Sequence, residues 1–139
     1  MKGENLQKRI VGWLKALDIY CHRFYDAKST GFIGNPQPAD YWCYYNGRLT
    51  LLECKEVKSS LRLSFNSVRP SQYKSAMQSE HFGYVHLLII QINNEIYLLE
   101  TINLIDFINK NKDKSSIHYN DIKELGFKLF DKNDLKSSL

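Results

Sequence analysis

A chain of 139 residues, 43 % hydrophobic, is long enough to bury one core and short for two, which predicts one domain over 1–139 with 101–139 as a C-terminal extension of its core. Its apolar runs are far shorter than a bilayer span, Met1 leads straight into Lys2-Gly3-Glu4, and Cys21, Cys43 and Cys54 form no Cys-x-x-Cys pair, so the expectation is a soluble cytoplasmic protein with buried, reduced thiols and neither a disulfide framework nor a zinc knuckle. The net charge of +4 is uneven, since residues 1–78 carry 12 Lys and Arg against 6 Asp and Glu while 79–139 carry 7 against 9; a basic front half suits a polyanion such as nucleic acid, and on charge alone it equally suits an ordinary solvated surface.

In chain order, Leu6, Ile10, Leu14 and Leu17 fall at spacings that predict an amphipathic helix from about Asn5 to Leu17. Ile19 to Tyr25 reads as a strand. Asp26 to Pro38, rich in Gly, Ser, Asn and Pro, reads as a loop. Two strands around Asn46-Gly47 follow. Pro70 suits the first turn of a second helix ending before Gly83, with Tyr73, Ala76 and Met77 as its core face. Val85 to Ile92 has the apolar continuity of a central strand, and Asn93-Asn94 turns it into a further strand, Glu95 to Glu100. Ile102 to Asn109 predicts a short helix, and a small helix near Asp121 to Leu125 is stopped by Gly126. The order α-β-β-β-α-β plus an extension describes an α/β domain with a mixed central sheet flanked by helices.

The segment ADYWCYYNGRLTLLECK, residues 39–55, carries the chemistry. Asn-Gly is a strong signal for a two-residue type I′ hairpin. With Asn46 and Gly47 as the loop, Tyr45 faces Arg48, Tyr44 faces Leu49, and Asp40 faces Glu53. Opposed residues of an antiparallel pair share a face, and Lys55 lies on that face too. Two carboxylates side by side repel unless a cation sits between them. Such oxygen ligands suit Mg²⁺, with Lys55 placed to handle water or to offset charge developing on a phosphate. The competing reading puts Asp40 in the turn region around Pro36 and Pro38 and leaves Glu53 and Lys55 as a weak surface pair; a bulge would also move Asp40 off the face.

Pro38-Ala39-Asp40, a short hairpin and then Glu53-Cys54-Lys55, after a helix, resemble the PD-(D/E)xK nuclease superfamily with its restriction-endonuclease-like fold. More of the chain is similar to the RecU-type Holliday junction resolvases and their shorter phage-like relatives: Cys21-His22-Arg23 with Asp26, Gly34-Asn35-Pro36, Leu52 to Ser59, SFNSVRPSQ over Ser64 to Gln72, and Ser116-Ile117 before a small helix and Gly126. The resemblance implies a Mg²⁺-dependent endonuclease, with Mn²⁺ substituting, usually a homodimer, that makes paired nicks across a four-way DNA junction. On the matching positions Asp40 and Glu53 would be metal ligands helped by the Cys54 carbonyl, Lys55 the catalytic lysine, and Gln72 a residue beside the site, although a plain first-turn role fits Gln72 as well. The family's first helix commonly offers a glutamate to the metal; here Gln7 stands at that position, with Glu4 one turn earlier on the same face as a substitute. Arg23, Lys28, Ser29, Lys58, Arg62 and Arg69 form the expected DNA-contacting set.

Two other readings stay open at this stage: a restriction-like or repair endonuclease on duplex or flapped DNA, and a non-catalytic DNA-binding module of the same fold. His22, His81, His86 and His118 show no ligand spacing and read as structural histidines. Tyr41, Trp42, Tyr44 and Tyr45 read as strand residues packing a core rather than as a base-stacking platform.

Overall fold

The computed structural model describes residues 4–24 and 37–139. Helix α1 (Glu4–Ala16) leads into β1 (Tyr20–Arg23), β2 (Tyr41–Tyr45) and β3 (Arg48–Glu56). Then come β4 (Arg62–Ser64), a 3-10 turn over Phe65–Ser67, α2 (Pro70–Phe82), β5 (Val85–Ile92) and β6 (Glu95–Glu100). The chain closes with α3 (Thr101–Lys110), β7 (Ser116–His118), α4 (Tyr119–Leu125), β8 (Phe127–Lys128) and α5 (Lys132–Ser138). Six strands form one mixed sheet in the order β1-β2-β3-β5-β6-β8, and β4 pairs with β7 as a separate ribbon. Only β3 and β5 run parallel among the described strands. A parallel pair needs a long crossover, supplied here by β4, the 3-10 turn and α2. No helix among the described residues is long and apolar enough to cross a membrane.

The sheet separates two cores. On one face the α1 stripe of Leu6, Ile10 and Leu14 meets Cys43, Leu52, Cys54, Leu87 and Ile89, together with Leu129 and Leu135 from the C-terminal segment. On the other, Leu88, Ile90, Ile92, Tyr97 and Leu99 meet Leu63, Leu104, Ile117 and Ile122. Strand β5 feeds both, which is why its sequence is almost unbroken apolar. Residues 101–139 therefore supply both cores and a sheet strand. Cys43 and Cys54 are buried free thiols, and Cys21 is half-buried.

The turns follow the residues that make them. Asn46 and Gly47 have φ of 54° and 78°, and Asn93 and Asn94 have 53° and 59°, the positive values a type I′ hairpin requires. The predicted register holds from Tyr45↔Arg48 to Tyr41↔Leu52. The loop from Asp26 to Pro36 and the end of the predicted first strand, Tyr25, lie outside the described residues. The predicted core face of α2 is corrected in part: Ala76 is buried as expected, and Tyr73 only half so. Gln72, Ser75, Ala76 and Ser79 are its buried residues, while Met77 is 53 % exposed. A helix can bury serines where each hydroxyl finds a partner, and here Ser79 Oγ donates to the Ala76 carbonyl at 2.7 Å and Ser75 Oγ meets the Tyr84 hydroxyl at 3.1 Å. Of the aromatic residues, Tyr41 and Tyr45 pack against the first core as expected, but Tyr44 is 53 % exposed.

The C-terminal segment adds elements that the pattern of apolar residues did not announce. Helix α5 is closed at its start by a reciprocal cap: Asp131 Oδ1 accepts from the Asn133 and Asp134 amides, and Asp134 Oδ2 accepts from the Asp131 amide. Glu95 accepts from the hydroxyls of Tyr97 and Tyr119 and pairs with Lys128, tying β6 to α4 and β8. The Lys128 bond first, then the tyrosines, hold its carboxyl down at about 2. Gly126 sits where a Cβ would come within 2.7 Å of the Leu98 carbonyl oxygen. Backbone cannot yield there without moving β8, so Gly126→Ala is expected to destabilise the fold by about 1–3 kcal/mol, read as a lower urea midpoint.

Candidate active site

The β2–β3 ladder ends at Tyr41↔Leu52, one pair short of the expected Asp40–Glu53 pair. The Asp40 amide instead donates to the Leu52 carbonyl at 3.0 Å, and its carbonyl accepts from the Phe24 amide at 2.9 Å. Its carboxylate turns along β3, where Oδ2 accepts from the Cys54 amide at 2.9 Å. The two carboxylates still meet. Asp40 and Glu53 line one cleft of about 510 Å³ with Gln7, Cys54 and Lys55, walled by Lys58, Arg62 and Arg69.

Glu53 is 2 % exposed. Lys55 Nζ lies 3.4 Å from Glu53 Oε2, whereas the buried Oε1 has no partner. Burial first, then the Asp40 charge, pushes the Glu53 carboxyl up to about 7, against the pull of Lys55 and Arg69. A carboxylate withdrawn from water, beside a second one and with an idle oxygen, is a poor structural residue and a good cation ligand. The donor set is hard oxygen, which fits Mg²⁺ or Mn²⁺ better than softer metals. Among the described residues no three His, Cys, Asp or Glu side chains gather as a metal cluster, so a cation here would rest on two carboxylates and main-chain or water oxygens. The weak-surface-pair reading of Glu53 and Lys55 does not fit a carboxylate this deeply buried.

Helix α2 opens beside the cleft. Gln72 Oε1 accepts from the Arg69 amide at 3.1 Å, a first-turn cap, while its buried Nε2 has no partner. Gln7 reaches the cleft from α1 and accepts from the Tyr41 hydroxyl at 3.4 Å. Glu4 opens α1, and its side chain lies outside the described residues, as do Lys28 and Ser29. Arg23 does not line the cleft; it sits on β1 opposite Tyr41. Ser59, Ser60, Ser64 and Ser67, which the sequence reading did not single out, line the cleft as well. Ser59, Ser64 and Ser67 fall in the two segments that carry the family resemblance, Leu52 to Ser59 and Ser64 to Gln72, whereas Ser60 lies between them. A larger cleft, about 680 Å³, lies at the other end of β3 against Arg48, Phe127 and Lys128 and holds none of these residues.

The Glu53 shift fixes a pH dependence. A carboxyl whose folded-state value is raised from 4.5 to about 7 favours the folded state below its unfolded value, and that contribution is lost as pH rises through 7. At pH 8 the metal-free protein therefore carries a buried charge at a cost. Glu53→Gln is expected to raise its melting temperature at pH 8 by several degrees, at roughly 2–4 °C per kcal/mol, and to raise it little at pH 5. Equal midpoints for variant and wild type at pH 8 would show that Glu53 carries no such burden.

No curated protein sequence matches the chain. Among solved structures, Hjc from Archaeoglobus fulgidus, a Holliday junction resolvase from an archaeal hyperthermophile, superposes with a TM-score of 0.60 at 14 % identity, covering 91 % of this chain and 95 % of that one. The likeness is one of fold, a mixed sheet flanked by helices. The family model for Recombination protein U matches residues 16–136, which takes in Asp40, Glu53, Lys55, Arg69 and Gln72 and leaves out Gln7. With the match running over nearly the whole length, this chain belongs to the RecU family.

Proposed function

We propose that the chain is a divalent-metal-dependent endonuclease that resolves four-way DNA junctions, acting in the cytoplasm as a homodimer with Mg²⁺ and accepting Mn²⁺. The observation that carries this reading is the buried Glu53 carboxylate with its partnerless oxygen beside Asp40, in a cleft walled by cationic side chains. Membership of the RecU family supports it, and so does the fold shared with Hjc, itself described as a Holliday junction resolvase. A near-symmetric junction asks for two symmetric cuts, which a two-fold dimer supplies.

In this reading Asp40 and Glu53 would hold the cation, with the Cys54 carbonyl as a further oxygen. A bound divalent ion polarises a phosphoryl oxygen and makes water a better nucleophile at neutral pH. Lys55, held by Glu53, stands where it can orient the attacking water and offset the charge that grows on the phosphate. Lys58, Arg62 and Arg69 seat the DNA backbone, Arg23 extends the basic surface along β1, and the hydroxyls of Ser64 and Ser67 add neutral donors to phosphate. Gln72 shapes the start of α2 beside the reacting phosphate.

A second reading, a junction-binding protein without turnover, is favoured by one observation: α1 presents to the cleft the amide of Gln7 rather than a carboxylate. A labelled four-way junction and a matched duplex, incubated with Mg²⁺ or with chelator, separate the two. Paired nicks in the junction, lost with chelator and in Asp40→Asn while that variant still binds the junction, are the expected result. Binding without any cut in Mg²⁺ or Mn²⁺ would replace the resolvase with the binding protein. For the wall of the cleft, Lys58→Ala and Arg62→Ala are each expected to weaken junction binding and to lower the slope of log K against log salt by about 1. An unchanged slope would remove that residue from the phosphate path.

A further inference from the structure

The segment that delivers Asp40 to the cleft is held from outside its own hairpin. Ser71 Oγ of α2 donates to the Gln37 carbonyl at 3.0 Å. One residue on, the Pro38 carbonyl lies 2.8 Å from His86 Nε2, on β5. A carbonyl only accepts, so Nε2 carries the hydrogen. The other ring nitrogen, Nδ1, then accepts from the hydroxyl of Thr101, the first residue of α3, at 2.7 Å. His86 and Thr101 are 2 % and 1 % exposed, and burial holds the imidazole below its usual value, in keeping with a neutral ring. Between Pro38 and Asp40 stands only Ala39, 1 % exposed, and proline's fixed φ removes a further freedom. The position of the Pro38 carbonyl is thus passed on to Asp40 with little slack.

From this relay we infer that His86 is a positioning residue for the metal site: its Nε2 bond to the Pro38 carbonyl, with Thr101 setting the tautomer, fixes the backbone that aims the Asp40 carboxylate at the Cys54 amide beside Glu53. The inference deepens the proposed metal-dependent reading and rests on it. An outer partner of this kind acts through the ligand it steadies.

The test compares His86→Leu, which keeps the bulk and loses the donor, with His86→Gln, whose amide restores one. Mn²⁺ affinity is measured by titration, and hydrogen exchange of the Cys54 amide is followed in the metal-free protein. Folding is monitored by thermal melts. His86→Leu is expected to weaken Mn²⁺ binding about 10-fold or more and to speed exchange at Cys54. His86→Gln should recover most of both. A folded His86→Leu with wild-type affinity and exchange would overturn the inference, and so would equal losses in both variants, which would mark a packing role. If His86→Leu does not fold, His86→Phe takes its place, a ring without the Nε2 donor; unchanged affinity and exchange there would also overturn it. Wild-type protein that binds no Mn²⁺ would instead sink the metal reading, while Cys54 exchange would still decide whether His86 fixes the Asp40 segment.

Discussion

The bond from the Cys54 amide to the Asp40 carboxylate is the constraint around which the site is arranged. Two strands that continued their ladder would have set Asp40 and Glu53 directly across from each other, both pointing away from the same face. Because the ladder stops at Tyr41, the amide that a strand partner would have used is answered by a side chain. Asp40 is drawn along β3 rather than held opposite it, so its charge lies against both the Glu53 carboxyl and the start of the Cys54–Lys55 segment. A main-chain donor cannot be titrated or rotated away. It fixes one carboxylate firmly while the second, on a buried strand position, stays short of partners.

The same place in the sheet explains the surrounding charge. β3 is flanked by an antiparallel strand on one side and a parallel one on the other, and a parallel neighbour obliges the chain to cross over a face of the sheet before it returns. That crossover leaves β3 just past Lys55 and brings Lys58, Arg62 and Arg69 back over its end. The basic wall and the acidic floor are therefore not separate acquisitions. One stretch of backbone, from Glu53 to the first turn of α2, supplies the basic wall and one of the two carboxylates, Asp40 alone arriving from the segment before β2.

Much of this was legible from the residues because the signals are local. The stripe of α1, both type I′ turns and the apolar continuity of β5 each depend on neighbours a few positions apart. Counting outward from Asn46-Gly47 gave five correct pairs and then failed at Asp40, where a side chain took over a backbone role and no turn rule applies. The core face of α2 was legible at Ala76 and not at its serines for a related cause: serines go inside when their hydroxyls are answered, and the partners of Ser75 and Ser79 are visible only in three dimensions. β4, β7 and β8 are two or three residues long and exist because other strands lie beside them. Helix α5 had a signal in Asp131 and Asp134, three apart as in a capping box, but a short polar helix shows little periodicity. Arg23 matched the family and lies off the cleft, since being on a neighbouring strand does not bring a side chain round to its end.

The parallel seam between β3 and β5 has a consequence for how the molecule comes into being. Each of the two hairpins it joins, β2–β3 and β5–β6, closes on a two-residue turn and needs no distant partner. The seam pairs Thr50 with Val85 and Glu56 with Gln91, across 35 residues of chain, and contacts of that span are what topology makes slow to form. The carboxylates belong to the first hairpin and His86 to the second. A growing chain thus holds its acidic pair before it holds the histidine that anchors Pro38, and the fully braced site arrives only when the two hairpins dock.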